Sequence, residues 1–408
     1  MPHLWLINQF ANTPELPGHT RQYEVAAGLV GFGWQVEVFA SDFNLTQRQY
    51  RRLRFPRLWC VERPAGIRWI WLWVSPYRRN NWKRQLNMLS FCLHLGLRLL
   101  PIALWGRLMG QGPDVIVASS PQLPAAFTLL LISRLTSIPF VLEVRDLWPQ
   151  VLIDQGGKSK KSLMVMILAW MERQLYRKAR FVVVLAKGAE SYVCKRGAET
   201  TFWLPNGPDL ELFSPRPLPP ERAVFHVLYA GAHGDANALD NVLEAARLLE
   251  SCESPIRFRF IGDGPEKQAL VKQAIDLKSV SFEDPVPKAQ IPALMAESDA
   301  ILLSLRDVPL FRYGVSPNKL YDAYAMGRPV ITTVAGAINE EVEEHGLGVT
   351  ASPGDPEDLA AAILRLAQMP KSERQAMGVR GTHLARTTYS RQRINAQYDS
   401  VLREVVNR

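Results

Sequence analysis

Cysteine is scarce in this sequence of 408 residues, and the four cysteines that occur are far apart. Cys60, Cys92, Cys194 and Cys252 form neither a C-x-x-C pair nor a Cys/His cluster. This spacing argues against a disulfide-stapled fold and against a structural zinc site, and it predicts buried thiols in a reducing compartment.

The N-terminus lacks the features of a secretory signal. Residues 1–9 have no positively charged start, their apolar stretch is short, and no small-residue cleavage site follows. They predict a first buried strand over residues 3–7 instead. Hydrophobic residues make up 47% of the chain and charged residues 21%, which is typical of a globular protein, and the length is sufficient for two domains.

Acidic residues are scarce in the first half of the chain. Residues 1–204 carry a net charge of +14, whereas residues 205–408 carry −5. A basic half favours nucleic acid, an anionic membrane surface or a pyrophosphate-bearing substrate as partner, and a merely solvated surface is the remaining interpretation. No recognised RNA- or DNA-binding signature is present, so we expect no nucleic-acid partner.

Apolar runs typical of buried parallel strands alternate with amphipathic helices. Strands are predicted over residues 3–7, 34–40, 181–186, 280–282, 300–303 and 330–333. Four further segments predict a strand that ends in small polar, charged or glycine-rich residues: 113–121, 140–149, 227–234 and 258–265. Helices are predicted over residues 21–31, 163–178, 239–249, 318–326, 355–367 and 390–405. The alternation predicts an α/β protein with doubly wound sheets. A Pro-rich segment, residues 205–220, marks a domain boundary.

A basic, aromatic segment precedes a long apolar one. Residues 48–84 interleave eleven Lys and Arg with Tyr and Trp, and residues 86–108 are mostly apolar but interrupted by His94, Arg98 and Pro101. The interruptions argue against a transmembrane helix. We interpret the region as a surface-seeking helix on a membrane, and the alternative is a helix pair in the core of the first domain.

Charged residues follow the apolar run of residues 140–144. Arg145 and Asp146 stand where a parallel strand would end, at the edge of an α/β sheet that binds ligands. This position makes Arg145 and Asp146 better candidates for chemistry than an average ion pair. A structural salt bridge is the alternative.

The segment of residues 300–333 predicts a strand, a long loop, a helix and a second strand. Ser316 is expected to be the N-cap and Pro317 the first-turn residue of the helix. Lys319 and Asp322 are three residues apart on one helical face, so the pair could hold a phosphate and a ribose hydroxyl. The alternative is an ordinary helix on which Lys319 is exposed.

The same segment resembles the C-terminal motif of the family 4 glycosyltransferases, P-S-K-x-x-E-x-x-A-x-G-x-P-V. The matching positions are Pro317, Asn318 (for Ser), Lys319, Asp322 (for Glu), Ala325, Gly327, Pro329 and Val330. Residues 205–213 resemble the family's P-N-G-x-D-x-x-x-F, residues 262–265 its G-x-G-P, residues 143–149 its acceptor-domain segment, and residues 17–21 its first glycine loop. The resemblance is to bacterial enzymes of surface polysaccharide assembly, of the N-acetyl-L-fucosamine transferase type.

The sequence departs from this pattern at three places. Many members carry a first Glu where Gly314 stands, and His19 replaces the second glycine of the first loop. The Arg and Lys that often follow the glycine corresponding to Gly231 are missing. The positive charge for a donor diphosphate is therefore expected from Arg306 and Lys319.

The resemblance implies the GT-B fold, in which two Rossmann-like, doubly wound α/β domains face a cleft. The acceptor-binding domain would comprise residues 1–204, with the last helix, 388–408, packing back on it, and residues 205–387 would bind the nucleotide-sugar. The expected donor-binding residues are Gly18, Gly231, His233, Gly264, Arg306, Asn318, Lys319, Leu320 and Asp322. His233 is alternatively an incidental loop residue.

The implied reaction is retaining transfer of a sugar from a nucleotide-sugar, with UDP as the expected nucleotide, to a hydroxyl of a lipid-linked saccharide. Asp146 and Arg145 are the expected catalytic residues, and neither a metal nor another cofactor is expected. The protein would associate peripherally with the cytoplasmic face of a bacterial inner membrane.

Two other functions fit the same residues. A nucleotide-sugar epimerase of this fold would need acid/base groups around the sugar and no acceptor. A non-catalytic sugar-nucleotide- or membrane-binding subunit would explain Gly314 and the missing Arg/Lys pair. The sugar, the nucleotide base and the acceptor depend on loop side chains that the sequence does not position.

Overall fold

The computed structural model describes residues 1–15, 20–45, 47–79 and 82–407. The chain forms two compact units, Met1–Leu204 with Ile394–Arg408, and Pro205–Arg393. Each unit contains its own parallel sheet and its own hydrophobic core.

The N-terminal unit contains an eight-stranded sheet with the order β10-β9-β8-β7-β1-β2-β6-β5. Its strands are β1 (His3–Ile7), β2 (Gln35–Ser41), β5 (Trp59–Glu62), β6 (Arg68–Leu72), β7 (Val115–Ser119), β8 (Phe140–Val144), β9 (Phe181–Val184) and β10 (Thr201–Trp203), and β3 (Phe43–Asn44) and β4 (Gln49–Tyr50) form a separate hairpin. All neighbours in the sheet are parallel except β5 and β6. Strand order reverses between β1 and β7, as in a doubly wound fold.

Helices connect these strands. They are α1 (Arg21–Gly31), α2 (Trp82–Leu108), α3 (Leu123–Thr136), α4 (Gln150–Asp154), α5 (Leu163–Lys178) and α6 (Ala189–Lys195). Among the described residues, α2 is the one helix that is long and apolar enough to cross a membrane. In its most apolar stretch of 18 residues, 22% of the residues are buried.

The last helix, α15 (Arg391–Asn407), joins the core of the N-terminal unit from Ile394 onward. Tyr398, Val401 and Leu402 are buried in the same cluster as Leu29 of α1. Trp34 donates a hydrogen bond of 2.6 Å from Nε1 to Asp399. The C-terminal segment is therefore part of the apolar core of this unit.

The C-terminal unit contains a six-stranded, all-parallel sheet with the order β13-β12-β11-β14-β15-β16. Its strands are β11 (Phe225–Ala230), β12 (Ile256–Ile261), β13 (Val280–Glu283), β14 (Ala300–Ser304), β15 (Val330–Thr333) and β16 (Gly348–Thr350). Its helices are α7 (Leu239–Ser251), α8 (Lys267–Gln273), α9 (Ile291–Ala296), α10 (Pro309–Arg312), α11 (Asn318–Ala325), α12 (Ala337–Glu344), α13 (Pro356–Gln368) and α14 (Lys371–Thr387). Strand order reverses between β11 and β14, which makes the carboxyl ends of these two strands the expected ligand edge.

Two sequence-based expectations about this fold are corrected. Cys194 and Cys252 are exposed, although all four thiols were expected to be buried, because these two lie at the ends of surface helices; all four thiols are unpaired. Residues 86–108 belong to one helix, α2, which buries one stripe of side chains and exposes the other. The alternative of a helix pair in the core is therefore wrong, and the contact of this helix with a membrane stays a prediction.

Candidate functional site

Four loops meet at the carboxyl edge of the C-terminal sheet. They follow β11, β12, β14 and β15. These four strands lie side by side in the sheet, in the order β12-β11-β14-β15. Because parallel strands end at the same edge, residues that are distant in sequence converge there. The loops after β11 and β14 also flank the point where strand order reverses.

Glycines let two of these loops pack against each other. Gly262 has φ 147°, and a Cβ at this position would lie 1.9 Å from the carbonyl oxygen of Gly231. A Cβ at Gly264 would lie 2.2 Å from the carbonyl oxygen of His233. The His233 amide donates to the Asp263 carbonyl over 2.9 Å. The structure thus gives Gly264 a packing role, and its expected contact with a donor stays a prediction.

Lys319 lies in the first turn of α11, and its ammonium points at the loop after β11. Its Nζ is 4.0 Å from the centre of the Tyr229 ring, a cation–π geometry. A Cβ added to Gly231 would lie 2.8 Å from the same Nζ, so the glycine leaves room for the lysine. Sequence reasoning missed Tyr229, whose hydroxyl donates to the carbonyl oxygen of Ala232 over 2.6 Å.

The Lys319 ammonium has no acidic partner among the residues that the structure describes, where no carboxylate lies within 4.0 Å of it. Desolvation lowers the pKa of Lys319 to about 7. The alternative of an exposed Lys319 is wrong, because the residue is partly buried and its side chain lies against Tyr229 and Gly231. An anion placed beside this ammonium would favour its charged form.

His233 is fully buried beside this lysine. Neither ring nitrogen has a hydrogen-bond partner within the described part of the chain. The ring lies between the rings of Tyr229 and Phe282, with centroid distances of 5.9 and 5.8 Å. Burial lowers the pKa of His233, the charges of Lys267 and Lys319 lower it further, and the charge of Asp263 opposes this shift.

Arg306 lies at the same edge, but two carboxylates offset its charge. Its guanidinium is 2.8 Å from Asp235 and 2.8 Å from Asp240. Its amide donates to the Ala236 carbonyl over 3.0 Å. These contacts hold the loop that leads into α7. The expected contact of Arg306 with a phosphate stays a prediction. Because two carboxylates already pair with Arg306, it offers a bound anion less positive charge than Lys319 does.

The remaining donor residues on α11 differ in exposure. Asn318 is exposed at the start of the helix, whereas Leu320 and Asp322 are buried. Asp322 is one turn beyond Lys319 on α11, and the residue interacts with other parts of the protein. Gly18 belongs to residues 16–19, which lie outside the described residues, so its role stays a prediction.

Ser316 is not the N-cap of α11, contrary to expectation. The N-cap position is Pro317, and no side chain caps the helix. The Ser316 hydroxyl instead accepts a hydrogen bond of 2.9 Å from the Asn206 amide, and the Asn206 side chain donates to the Ser316 carbonyl over 2.8 Å. The P-N-G segment therefore anchors the loop that precedes α11.

Gly314 has a backbone conformation that explains the missing glutamate. Its φ is 83°, in the left-handed region, and its amide donates to the Phe311 carbonyl over 2.9 Å just after α10. A residue with a Cβ is strained there. Gly314, which stands in place of the family's first Glu, therefore permits a backbone turn that would be strained with a glutamate.

The carboxyl end of β8 carries Arg145 and Asp146 in the N-terminal unit. The Arg145 guanidinium donates to the side-chain oxygen of Gln22 over 3.0 Å, and its amide donates to the Ser120 hydroxyl over 3.0 Å. The Asp146 side chain is exposed. The surrounding protein raises the pKa of Asp146 by desolvation, and Arg145 opposes the rise. The catalytic roles of Arg145 and Asp146 stay predictions.

A buried carboxylate, Glu143, organises this edge and was missed as a site residue. It is 1% exposed and receives hydrogen bonds from Arg21 (3.1 Å), Gln22 (3.0 Å), Ser119 (3.0 Å) and Tyr398 (3.3 Å). Burial raises its pKa, but the charges of Arg21 and Arg145 outweigh this, and its pKa is lowered overall. The sequence does contain a signal for this role, because Glu143 is a charged residue inside the otherwise apolar run of residues 140–144.

No group of three or more His, Cys, Asp or Glu side chains that could hold a metal ion occurs within residues 1–15, 20–45, 47–79 and 82–407. At the C-terminal edge, the Lys319 ammonium and the amides at the start of α11 can together bind a multiply charged anion.

Two family models match the chain: the glycosyl transferase 4-like domain over residues 18–207, and the glycosyl transferases group 1 over residues 224–369. The putative colanic acid biosynthesis glycosyl transferase WcaI of Escherichia coli K12 is 26% identical, over 94% of this chain and 97% of its own length. The probable glycosyltransferase WbjE of Pseudomonas aeruginosa is 24% identical, over 64% of this chain and 67% of its own.

Solved structures resemble the chain along its whole length. Sucrose-phosphate synthase from Thermosynechococcus elongatus superposes with a TM-score of 0.73 and 15% identity, covering 99% of each chain. HepE of Anabaena, solved in complex with UDP, superposes with a TM-score of 0.68 and 17% identity, covering 99% of this chain and 100% of its own. At these identities the likeness shows the fold.

Proposed function

Because the chain belongs to the family 4 glycosyltransferases and has their GT-B fold, we propose that it is a retaining, metal-independent transferase. It moves a sugar from a nucleotide-sugar to a hydroxyl of a lipid-linked saccharide. The observation that carries the proposal is the Lys319 ammonium, which lies beside the start of α11 without a carboxylate partner among the described residues.

Lys319 acts on the donor diphosphate. Charge builds up on the diphosphate as the bond to the sugar breaks, and a preorganised ammonium stabilises that charge without a metal ion. Because the site is desolvated, the attraction is stronger than it would be in water. The amides at the start of α11 add donors for the same anion, and the buried carboxylate of Asp322 accepts from a ribose hydroxyl.

The nucleotide we propose is UDP. HepE of Anabaena, a structural neighbour, is described in complex with UDP and with UDP-glucose. Gly231 and Gly264 keep the adjoining loops close to the strand ends.

The acceptor reacts at the N-terminal unit. Asp146 takes the proton of the attacking hydroxyl, since its exposed carboxyl group follows the carboxyl end of β8. Arg145, oriented by Gln22, contacts an acceptor phosphate. We propose a lipid-linked saccharide of bacterial surface polysaccharide assembly, since WcaI is named for colanic acid biosynthesis. The enzyme would then work at the cytoplasmic face of the inner membrane.

The test is nucleotide release from UDP-, GDP- and dTDP-sugars in the presence of EDTA, with and without membrane extract that contains lipid-linked acceptors. We expect UDP release that requires the extract, and a product whose anomeric configuration equals that of the donor by NMR. Interconversion of the nucleotide-sugar without release would identify an epimerase. Binding without either reaction would identify a binding subunit, and loss of activity in EDTA would contradict metal independence.

A further inference from the structure

Three helices of the N-terminal unit carry most of the exposed large apolar side chains. Sixteen of the twenty-six such side chains found among the described residues lie on α2, α3 and α5. In the C-terminal unit, by contrast, the described residues contribute four. Scattered exposed apolar residues need no explanation, but this concentration does.

The three helices lie side by side on one face of the sheet. The crossovers from β6 to β7, β7 to β8 and β8 to β9 proceed in the same direction across the strand order, and right-handed crossovers place their helices on the same face. The rings of Phe127 on α3 and Trp170 on α5 are 5.2 Å apart. Thr128 of α3 approaches Gly96 of α2. The helix α3 therefore joins the other two into one surface.

The helix α2 is held in the unit by its other side. Phe91, Leu95 and Leu99 are fully buried, and Asn87 accepts a hydrogen bond of 2.7 Å from Gln9. Leu97, on the opposite side, is 71% exposed. A helix anchored in this way cannot leave the unit to span a bilayer, but over its length of about 40 Å it can lie on one.

The helix α5 adds a second apolar stripe that is remote in sequence. Leu163, Met166, Ile167 and Trp170 are all exposed, and their spacing of three and four residues puts them on one helical side. Val165 and Leu175, on the other side, are buried. The stripe follows directly on Lys158, Lys160 and Lys161, which are exposed.

The charge around this surface has one sign. Residues 63–113, 115–142 and 155–171 contain no Asp or Glu, whereas residues 63–113 contain eight Lys and Arg. The one acidic residue on the three helices, Glu172, is 1% exposed and lies 3.4 Å from Arg196. A basic surface with an apolar centre is complementary to anionic lipid.

We propose that the exposed side of α2, α3 and α5 is a docking face for an anionic lipid bilayer. The apolar side chains enter the boundary between headgroups and acyl chains, and Lys158, Lys160 and Lys161 contact the headgroups. A second copy of the chain is a poorer occupant, because a symmetric contact would bring two basic surfaces together without carboxylates between them.

The test is flotation of the full chain with vesicles of phosphatidylcholine, with or without phosphatidylglycerol. We expect binding that requires phosphatidylglycerol. Lys160→Gln with Lys161→Gln lowers the partition coefficient by about fivefold per lysine, and added salt reduces that difference. Met166→Glu with Ile167→Glu lowers it by at least about tenfold. The control is Ile275→Glu in the C-terminal unit, where Ile275 is 88% exposed, and it leaves binding unchanged.

Thermal unfolding checks that each variant is folded, and Trp170→Phe gives a second readout. Brominated lipids quench the wild-type fluorescence, and Trp170→Phe removes part of that quenching. The proposal is overturned if the wild-type chain does not bind anionic vesicles or if the Met166/Ile167 variant binds them as well as wild type. It is also overturned if these substitutions disrupt a dimer of the chain and have no effect on vesicle binding. Binding is measured without nucleotide-sugar, so the result is independent of the proposed reaction.

Discussion

The two sheet edges differ in how a charged side chain is partnered. At the N-terminal edge, Glu143 is surrounded by Arg21, Gln22, Ser119 and Tyr398, so its charge is matched within the protein. At the C-terminal edge, Lys319 lies on the ring of Tyr229, and no described carboxylate is within ion-pairing distance. The first arrangement stabilises the folded state, whereas the second is stabilised by an anion from outside.

This difference distinguishes charges that hold the fold together from charges that bind a ligand. A buried ion pair with several hydrogen bonds fixes the positions of the elements that contribute it, here α1, β8 and α15. A desolvated cation without a carboxylate costs folding free energy and is expected where a ligand compensates for it. We therefore expect substitutions at the N-terminal edge to affect stability and those at the C-terminal edge to affect donor binding.

The largest expected effect is on the stability of the N-terminal unit. Glu143→Gln leaves Arg21 and Arg145 without their carboxylate and should lower the free energy of unfolding by about 3 to 5 kcal/mol, measured by urea denaturation. Because the pKa of Glu143 is lowered in the folded state, its contribution is present at neutral pH and is lost as the pH falls through that lowered pKa.

Glu244→Gln is the control, because Glu244 is 58% exposed and pairs with Arg247 on the surface. Its effect should stay below about 1 kcal/mol. Tyr398→Phe, which removes one hydrogen bond to Glu143, should cost about 1 kcal/mol. Equal stability of Glu143→Gln and wild type would mean that the N-terminal edge is not held by its charges.

The second effect is on donor affinity. Lys319→Met keeps most of the aliphatic stem and removes the ammonium, and it should weaken binding of a UDP-sugar by about 100-fold in calorimetry. The melting temperature should stay the same or rise, since the substitution removes a desolvated charge. Lys272→Met, at an exposed position of α8, should change neither quantity. Unchanged affinity in Lys319→Met would remove the assignment of this lysine.

Several parts of the fold could be predicted because the signal for them is local. The helices at residues 21–31 and 163–178 and the strand at residues 330–333 have the predicted bounds. Apolar runs of four to six residues identified the parallel strands, since such strands are buried on both faces. Glycine and proline clusters marked the turns between them.

The site could be predicted only in part, because its environment is built from distant residues. The motif pointed to Lys319, but its burial depends on Tyr229 and Gly231, about ninety residues earlier. Ser316 has the sequence context of an N-cap, but its hydroxyl accepts a hydrogen bond from the amide of Asn206, more than one hundred residues earlier. The exposed stripe of α5 was hidden because the helix is also apolar on its buried side.

A third prediction concerns pH. The pKa of Lys319 is lowered to about 7, and an anion bound beside it raises that pKa. Donor binding above pH 7 should therefore take up a proton, and affinity should fall by up to about tenfold per pH unit between pH 8 and 9. In the free protein the sign is opposite: the unfolded chain binds more protons between about pH 7 and 10.5, so stability rises with pH in that range.

Calorimetry in two buffers with different ionisation enthalpies measures this uptake directly. A UDP-sugar is a suitable probe, since its diphosphate does not titrate in this range. Lys319→Met should bind without proton uptake and with a flat pH profile. Uptake that persists in Lys319→Met would assign the proton to another group, with His233 the nearest candidate.

The smallest expected effect concerns how closely Gly231 packs against the end of the Lys319 side chain. Gly231 has no positive φ, so Gly231→Ala does not strain the backbone, but the new methyl group would lie 2.8 Å from the Lys319 Nζ. The flexible lysine end must shift, and we expect about a fivefold loss of donor affinity with little change in stability. Gly234→Ala is the matched control, because a Cβ there has no contact closer than 3.8 Å. If both variants bind the donor equally well, the position of the ammonium over Tyr229 does not determine affinity, and its charge alone distinguishes the two edges.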